Sequence, residues 1–177
     1  MTKSAGRKAS KPSAKRPVRR AVLSHVNVHG TARMVDVGAK PATERRARAG
    51  GEIRMTRAAW LAIRNNTNKK GDVLGVARLA GIQAAKRTAE LIPLCHPLAL
   101  SHVDVTPTLV AKPPRVRIEA TVATVGPTGV EMEALVAVSV ALLSVYDMVK
   151  SADKRMRIGS VRLLEKSGGR SGLFRAR

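Results

Sequence analysis

The sequence predicts an α+β domain of ferredoxin-like type, a split βαβ sandwich in which an antiparallel sheet carries helices on one face. Three observations point there. Strand-period and helix-period segments follow in the order strand, helices, strand, strand, helix, strand. Two alternating stretches, 101–110 and 115–125, are separated only by a short link around Pro113-Pro114, which makes them an antiparallel hairpin with one polar face. A length of 177 residues suits one domain that builds its core without disulfide or metal staples.

Taken in order, residues 1–23 hold eight Lys or Arg and no acid, with Ala, Ser and Pro but no apolar period. Such a segment cannot bury enough surface to offset its ordering entropy, so it reads as a basic disordered tail ahead of a single domain at 24–177. Ser24 to Val37 reads as an irregular or short-strand lead-in. Glu44 to Met55 is a first strand, with Gly50-Gly51 as a bulge. Thr56 caps a short helix, RAAWLAIR, that stops at Asn65-Asn66-Thr67-Asn68. Asp72 caps the next, from Val73 to Leu91, where Val73, Val76, Leu79, Ala80, Ile82 and Ala84 recur near the helical period.

In the hairpin, Val103 and Val105 share one face, as do Val116, Ile118, Ala120 and Val122. A turn at Gly126-Pro127 leads to a helix over about Val130 to Lys150, and Arg157 to Leu164 is the last strand. Between Ala134 and Tyr146 only Ser139 and Ser144 are plainly polar. A helix apolar nearly all round needs cover beyond the sheet, which predicts a subunit interface.

Composition narrows function. The net charge is +21, and outside the tail 25 basic residues still face 12 acidic ones, a surplus of +13 that attracts polyanions. One Trp, one Tyr and one Phe cannot supply the stacking platforms of single-strand or RNA binders, so a small anion is favoured and no specific nucleic acid is expected. A small basic protein that binds nucleic acid through phosphates alone is the alternative; a silent nucleotide-binding oligomer is a third reading. The single cysteine excludes an intrachain disulfide and fits the cytoplasm. The most apolar run, Ala134 to Tyr146, falls short of the roughly 20 residues that span a bilayer, so no membrane partner is expected.

Several stretches carry candidate chemistry. LIPLCHP, Leu91 to Pro97, sets Cys95 and His96 between two prolines that bias Ile92 and His96 toward extended backbone and fix the direction of the imidazole. Asp147 and Lys150 stand about one turn apart on a shared helix face, where they are either a surface ion pair or an acid/base couple; burial that lowers the lysine pKa brings proton exchange near neutral pH. Glu131 and Glu133 open the same helix, and Thr128 with Glu131 fits a capping box. The two carboxylates share a ligand only if the helix begins at or after Glu131, and they suit the N–H and amino groups of a guanine edge rather than phosphate. Lys69, Lys70, Lys86, Arg87, Lys166 and Arg170 are cations on loops and helix ends, with Gly168 and Gly169 able to approach an anion closely. His96 serves hydrogen bonding or proton transfer. No zinc set is recognisable from Cys95, His96, His25, His29 and His102, and neither a metal nor a resident cofactor is expected.

Seven segments, MVDVGAK (34–40), KKGDV (69–73), AGIQAAKRT (80–88), LIPLCHPL (91–98), TGVEMEAL (128–135), YDMVK (146–150) and IGSVRLLEKSGGRSG (158–172), strongly resemble the cyclic pyranopterin monophosphate synthase family of molybdenum cofactor biosynthesis. The likeness runs from about Ser24 to Phe174. It implies a lyase of ferredoxin-like fold that takes 3′,8-cyclo-7,8-dihydroguanosine triphosphate to cyclic pyranopterin monophosphate and diphosphate. It also implies a homohexamer, a trimer of dimers, with each active site formed by two subunits. Carried over, it makes Asp147 and Lys150 catalytic, with Lys150 as acid/base and Asp147 as its partner. Leu94, Cys95, His96, Met132 and Glu133 become substrate contacts with Glu131 beside them, and Lys40, Lys70 and Lys166 contribute to phosphate binding or acid/base work. Two positions depart: Arg33 stands where some relatives have histidine, and Arg170 where lysine is frequent. An arginine there still binds phosphate but is a poor proton donor.

Overall fold

The computed structural model describes residues 30–177. The basic tail read over residues 1–23, the first part of the lead-in, and His25 and His29 lie outside the described residues. The elements are β1 (Thr43–Arg54), α1 (Arg57–Arg64), α2 (Val73–Lys86), α3 (Thr88–Leu91), β2 (Leu100–Val110), β3 (Arg115–Gly126), α4 (Glu131–Val149), β4 (Arg157–Ser167) and β5 (Phe174–Arg175). The sheet order is β2-β3-β1-β4-β5, with every pairing antiparallel. That is the ferredoxin-like arrangement with one short strand added at an edge.

Strand alternation builds the core. Ala47, Ala49 and Ile53 on β1, and Val116, Ile118, Ala120 and Val122 on β3, are buried under the helices. The opposite face carries the half-exposed pair Arg48–Glu119 and the pair Arg54–Glu52, in which the arginine is exposed and the glutamate largely covered. α4 lies across β1, β3 and β4 and against α2, burying Ala134, Val138, Ala141, Leu142 and Val145. It is long and apolar enough to cross a membrane by length and composition, but more than half of it is buried inside this fold, as befits a core helix. α2 and α4 approach so closely at Gly81 that a Cβ there would sit 2.9 Å from the Ala137 carbonyl oxygen.

Several boundaries follow the chemistry expected of them. Thr56 caps α1 and Asp72 caps α2, each side chain accepting from main-chain N–H groups two or three residues on. Other expectations are corrected. The helix from Val73 to Leu91 is broken at Arg87, because buried Thr88 turns its hydroxyl back to the carbonyls of Ala84 and Ala85 at 3.4 and 3.0 Å. The capping box is not formed: α4 starts after Val130 with no side-chain cap. The bulge belongs to β4 rather than to Gly50-Gly51. Register slips twice against β1, and the extra residues, Ser160 with its positive φ of 56° among them, are on β4. Gly51 is explained by packing, since a Cβ would lie 2.9 to 3.0 Å from Leu142, Val161 and Val138. β4 runs three residues past its expected end and pairs with β5, which the sequence reading omitted.

Candidate active site

The start of α4 is the centre of the site. α4 begins at Glu131, so Glu131 and Glu133 stand two positions apart on its first turn, and both line a cleft of about 420 Å³. Its other walls are the lead-in, through Val35, Val37 and Lys40, and the proline-bounded loop, through Leu94, Cys95, His96 and Leu98; Met132 completes it. A second cleft of about 770 Å³ adjoins it and shares Lys40, Thr128, Gly129 and Glu131. Here the remaining lining is cationic or small: Arg45, Lys166, Arg170 and Ser171. One end of this double cleft thus presents carboxylates and the other positive charge.

Several of its polar groups have defined partners. His96 Nε2 lies 2.8 Å from the Val35 carbonyl oxygen, which can only accept. The proton is therefore on Nε2, and in the neutral ring Nδ1 is left as an acceptor. The same bond ties the lead-in to the proline loop. Glu133 is only 4% exposed, and its Oε2 is buried without a partner. Burial pushes its carboxyl pKa up; its own main-chain N–H opposes this, and neighbouring Glu131 adds to the rise. Burial, followed by the charge of Glu133, also pushes the Cys95 thiol up, which keeps it from being a ready nucleophile. Glu131, by contrast, is ion-paired with Lys166 Nζ at 3.2 Å, and Lys166 donates to Ser171 Oγ at 2.7 Å.

Two glycines expected to leave room for an anion have a different reason for being there. Gly168 and Gly169 have φ of +91° and +69° and press onto the Glu44 carbonyl and the Arg45 guanidinium, so both conformation and space require glycine. They shape the loop that carries Arg170. Lys86 is elsewhere, in a separate groove beside His102. Among the described residues no three His, Cys, Asp or Glu side chains gather as a metal set.

Asp147, Lys150 and Lys70 form a second cluster at the far end of α4. Lys150 Nζ meets Asp147 Oδ1 at 2.7 Å, and Lys70 Nζ meets Oδ2 at 2.8 Å. All three side chains are about half exposed. Hydrogen bonds from Lys150 and then Lys70, with their charges, hold the Asp147 pKa at about 2. The Asp147 carboxylate in turn raises Lys150, which corrects the expectation of a lysine tuned downward: in the single chain no burial opposes the ion pair strongly enough. None of the three lines the double cleft of its own chain. From Glu131 to Asp147 is about 24 Å along the helix, at 1.5 Å per residue.

The sequence reading missed Arg45, which lines the second cleft and reaches the turn before α4. A signal was present: Arg45 shares the face of Ala47 and Ala49 on β1, an odd place for an arginine unless something charged or polar is to be held there.

The model of the MoaC family matches residues 34–169. A cyclic pyranopterin monophosphate synthase from Methylobacterium sp. (strain 4-46) is 62% identical over 156 residues, covering 88% of this chain and 98% of the relative. One from Methylobacterium nodulans is 60% identical over 154 residues, 87% and 96% of the two chains. One from Roseiflexus sp. (strain RS-1) is 58% identical over 152 residues, 86% and 96%.

Proposed function

The chain belongs to the MoaC family, and from this we infer that it is a lyase of molybdenum cofactor biosynthesis, converting 3′,8-cyclo-7,8-dihydroguanosine triphosphate into cyclic pyranopterin monophosphate and diphosphate. The observation that carries the reading is the division of one continuous cleft into a carboxylate end and a cationic end. Together the two clefts are large enough for a nucleoside triphosphate. Glu131, Glu133 and the Nδ1 acceptor of His96 suit the hydrogen-bonding edge of a guanine-derived ring, between the apolar side chains of Leu94 and Met132. Lys40, Lys166 and Arg170 suit the triphosphate.

The chemistry has two parts. Opening the five-membered ring and rebuilding it as a pterin requires proton transfers. Attack of a sugar hydroxyl on the α-phosphorus closes the cyclic monophosphate and expels diphosphate, whose developing charge the cationic end stabilises. Lys150 is the proton carrier and Asp147 its orienting partner; Lys70 anchors Asp147.

A single chain cannot bring these groups to the cleft, because roughly 24 Å of helix lies between. The outward stripe of α4 supplies a way. Met132, Leu135, Ser139, Leu143, Asp147 and Lys150 follow at helical spacing, and Leu143 is exposed. Packed antiparallel against a second copy about a twofold axis, this stripe sets the partner's Asp147 and Lys150 beside the start of α4. The active form is then a dimer with two shared sites, assembled threefold into a hexamer, and the lone cysteine fits the reducing cytoplasm. Purified protein given the cyclised triphosphate is expected to release diphosphate and to form a product oxidisable to a fluorescent pterin. A chain that binds the compound without releasing diphosphate would refute the reading.

A further inference from the structure

Arg45 is a half-buried cation to which the chemistry above gives no task. Its Nε donates to the Gly126 carbonyl at 2.8 Å and its Nη2 to the Pro127 carbonyl at 3.0 Å. Those carbonyls belong to the turn between β3 and α4, whose next residues, Thr128, Gly129 and Glu131, border both clefts. On its other side the guanidinium abuts Gly169 so closely that a Cβ there would strike Nη1. Gly169 precedes Arg170 and Ser171, and Ser171 accepts from Lys166. One planar group therefore stands between the two loops that carry opposite ends of the cleft. A turn needing only satisfied carbonyls would be served by water or a neutral donor. A rigid fork fixes both distance and angle.

We propose that Arg45 is a positioning residue, a wedge between the Gly126-Pro127 turn and Gly169 that sets the spacing between the carboxylate end and the cationic end of the substrate cleft. The proposal rests on reading the two clefts as one site for the cyclised triphosphate. A substrate gripped at both ends senses that spacing, and a misplacement of about 1 Å costs up to about a hundredfold in rate. A ligand gripped only at the cationic end does not sense it.

The test compares two ligands on the intact protein. Arg45→Lys keeps the charge but cannot make the two-pronged contact, and Gly169→Ala pushes on the wedge from the other side. Each is expected to lower kcat/KM for the cyclised triphosphate by about tenfold to a hundredfold, with KM rising. In Arg45→Lys, which keeps the charge and leaves the loop of Arg170 unaltered, binding of inorganic diphosphate measured by calorimetry should stay within about twofold of the parent protein. Amide hydrogen exchange in Arg45→Ala should quicken at 126–129 and 168–171 together. The proposal is overturned by unchanged kcat and KM in Arg45→Lys. It is overturned equally by diphosphate affinity falling in step with the substrate's, which would make Arg45 a phosphate ligand, or by exchange that quickens in only one loop. Were the unaltered protein to show no turnover, the functional reading would fall, while exchange in the two loops would still decide whether Arg45 is the wedge.

Discussion

Lys70 meets Asp147 twice, at 2.8 Å on the carboxylate and at 3.1 Å on the main-chain carbonyl, so the loop before α2 is pinned to the last turn of α4 across 77 residues of sequence. Lys150 occupies the other carboxylate oxygen. The pair found by helix spacing is thus one side of a three-membered cluster, and the third member comes from a loop that spacing alone could not place.

That arrangement ranks three substitutions. Lys150→Ala removes the proposed proton carrier and is expected to lower kcat by about 10²- to 10⁴-fold while elution in size-exclusion chromatography stays that of the parent. Asp147→Asn leaves both lysines without their anion and should lose activity to a similar degree. Lys70→Ala spares the Asp147–Lys150 pair and should cost less. Full activity in Lys150→Ala would remove that residue from the mechanism. The pH profile separates the groups further. With a pKa of about 2 in the single chain, Asp147 stays ionised throughout the neutral range, and a loss of rate on acidification between pH 4 and 6 is expected to arise at another group. Such a loss that disappears in Asp147→Asn would contradict this.

Glu133 gives the opposite pH signature. Its folded pKa lies above the ordinary carboxylate value, so ionising it opposes folding. The penalty is absent below the unfolded value, grows as pH rises toward the raised folded value, and is constant above that. Glu133→Gln is therefore expected to raise the melting temperature at pH 7 to 8 by about 2–4 °C per kcal/mol relieved, and to change it little at pH 4. Turnover should fall in the same variant, since a buried carboxyl with an unpartnered oxygen is kept for a ligand rather than for stability. Equal effects on melting at both pH values would show that ionisation is not the cause.

How legible the site was depends on whether it is local. The carboxylates of α4, the proline-bounded loop and the Asp147–Lys150 spacing lie within single elements, and strand or helix period was enough to place them. The fold was readable for the same reason: alternation at 115–125 and the caps at Thr56 and Asp72 are local rules that the tertiary structure obeys. What stayed hidden depends on contacts between distant segments. Thr88 ends α2 because its hydroxyl finds carbonyls inside a packed core. Gly168 and Gly169 look like a flexible loop until Glu44 and Arg45 are seen against them. The capping box failed because Glu131 turns to Lys166, 35 positions later, and no reading of four consecutive residues contains that competitor.

Gly81 tests the close crossing of α2 and α4. A methyl group at this position would approach the Ala137 carbonyl oxygen at 2.9 Å and both Val105 methyls at 3.2 Å. A carbonyl within a helix cannot swing aside as a side chain can. Gly81→Ala is therefore expected to destabilise by about 1–3 kcal/mol in denaturant unfolding, despite alanine's better helix propensity. Gly159→Ala, which meets nothing within 4 Å, serves as the control and should stay within about 0.5 kcal/mol of the parent. A stabilised Gly81→Ala would mean that the helices can part without loss.

Asp153 ties the start of α1 to the segment after α4, and its contribution has a pH dependence of known sign. One carboxylate oxygen accepts from the Thr56 N–H at 2.8 Å and the other from the Arg155 N–H at 2.9 Å. Burial pushes its pKa up, but the N–H donors of Thr56 and Arg155, the Thr56 hydroxyl and the Arg155 charge together outweigh that, and the net shift is downward. A carboxylate lowered in the folded state stabilises fully above its unfolded value and loses that stabilisation as pH falls through the lowered folded value. Asp153→Asn must set an amide NH₂ against one of two N–H donors and is expected to cost about 1–3 kcal/mol at pH 7. The gap in melting temperature between parent and variant should hold steady down to about pH 5 and narrow below about pH 4, where the carboxylate of the unfolded parent begins to protonate while the folded one stays ionised. A gap that stayed constant to pH 3 would mean that packing, rather than the ionised carboxylate, holds α1 to the end of α4.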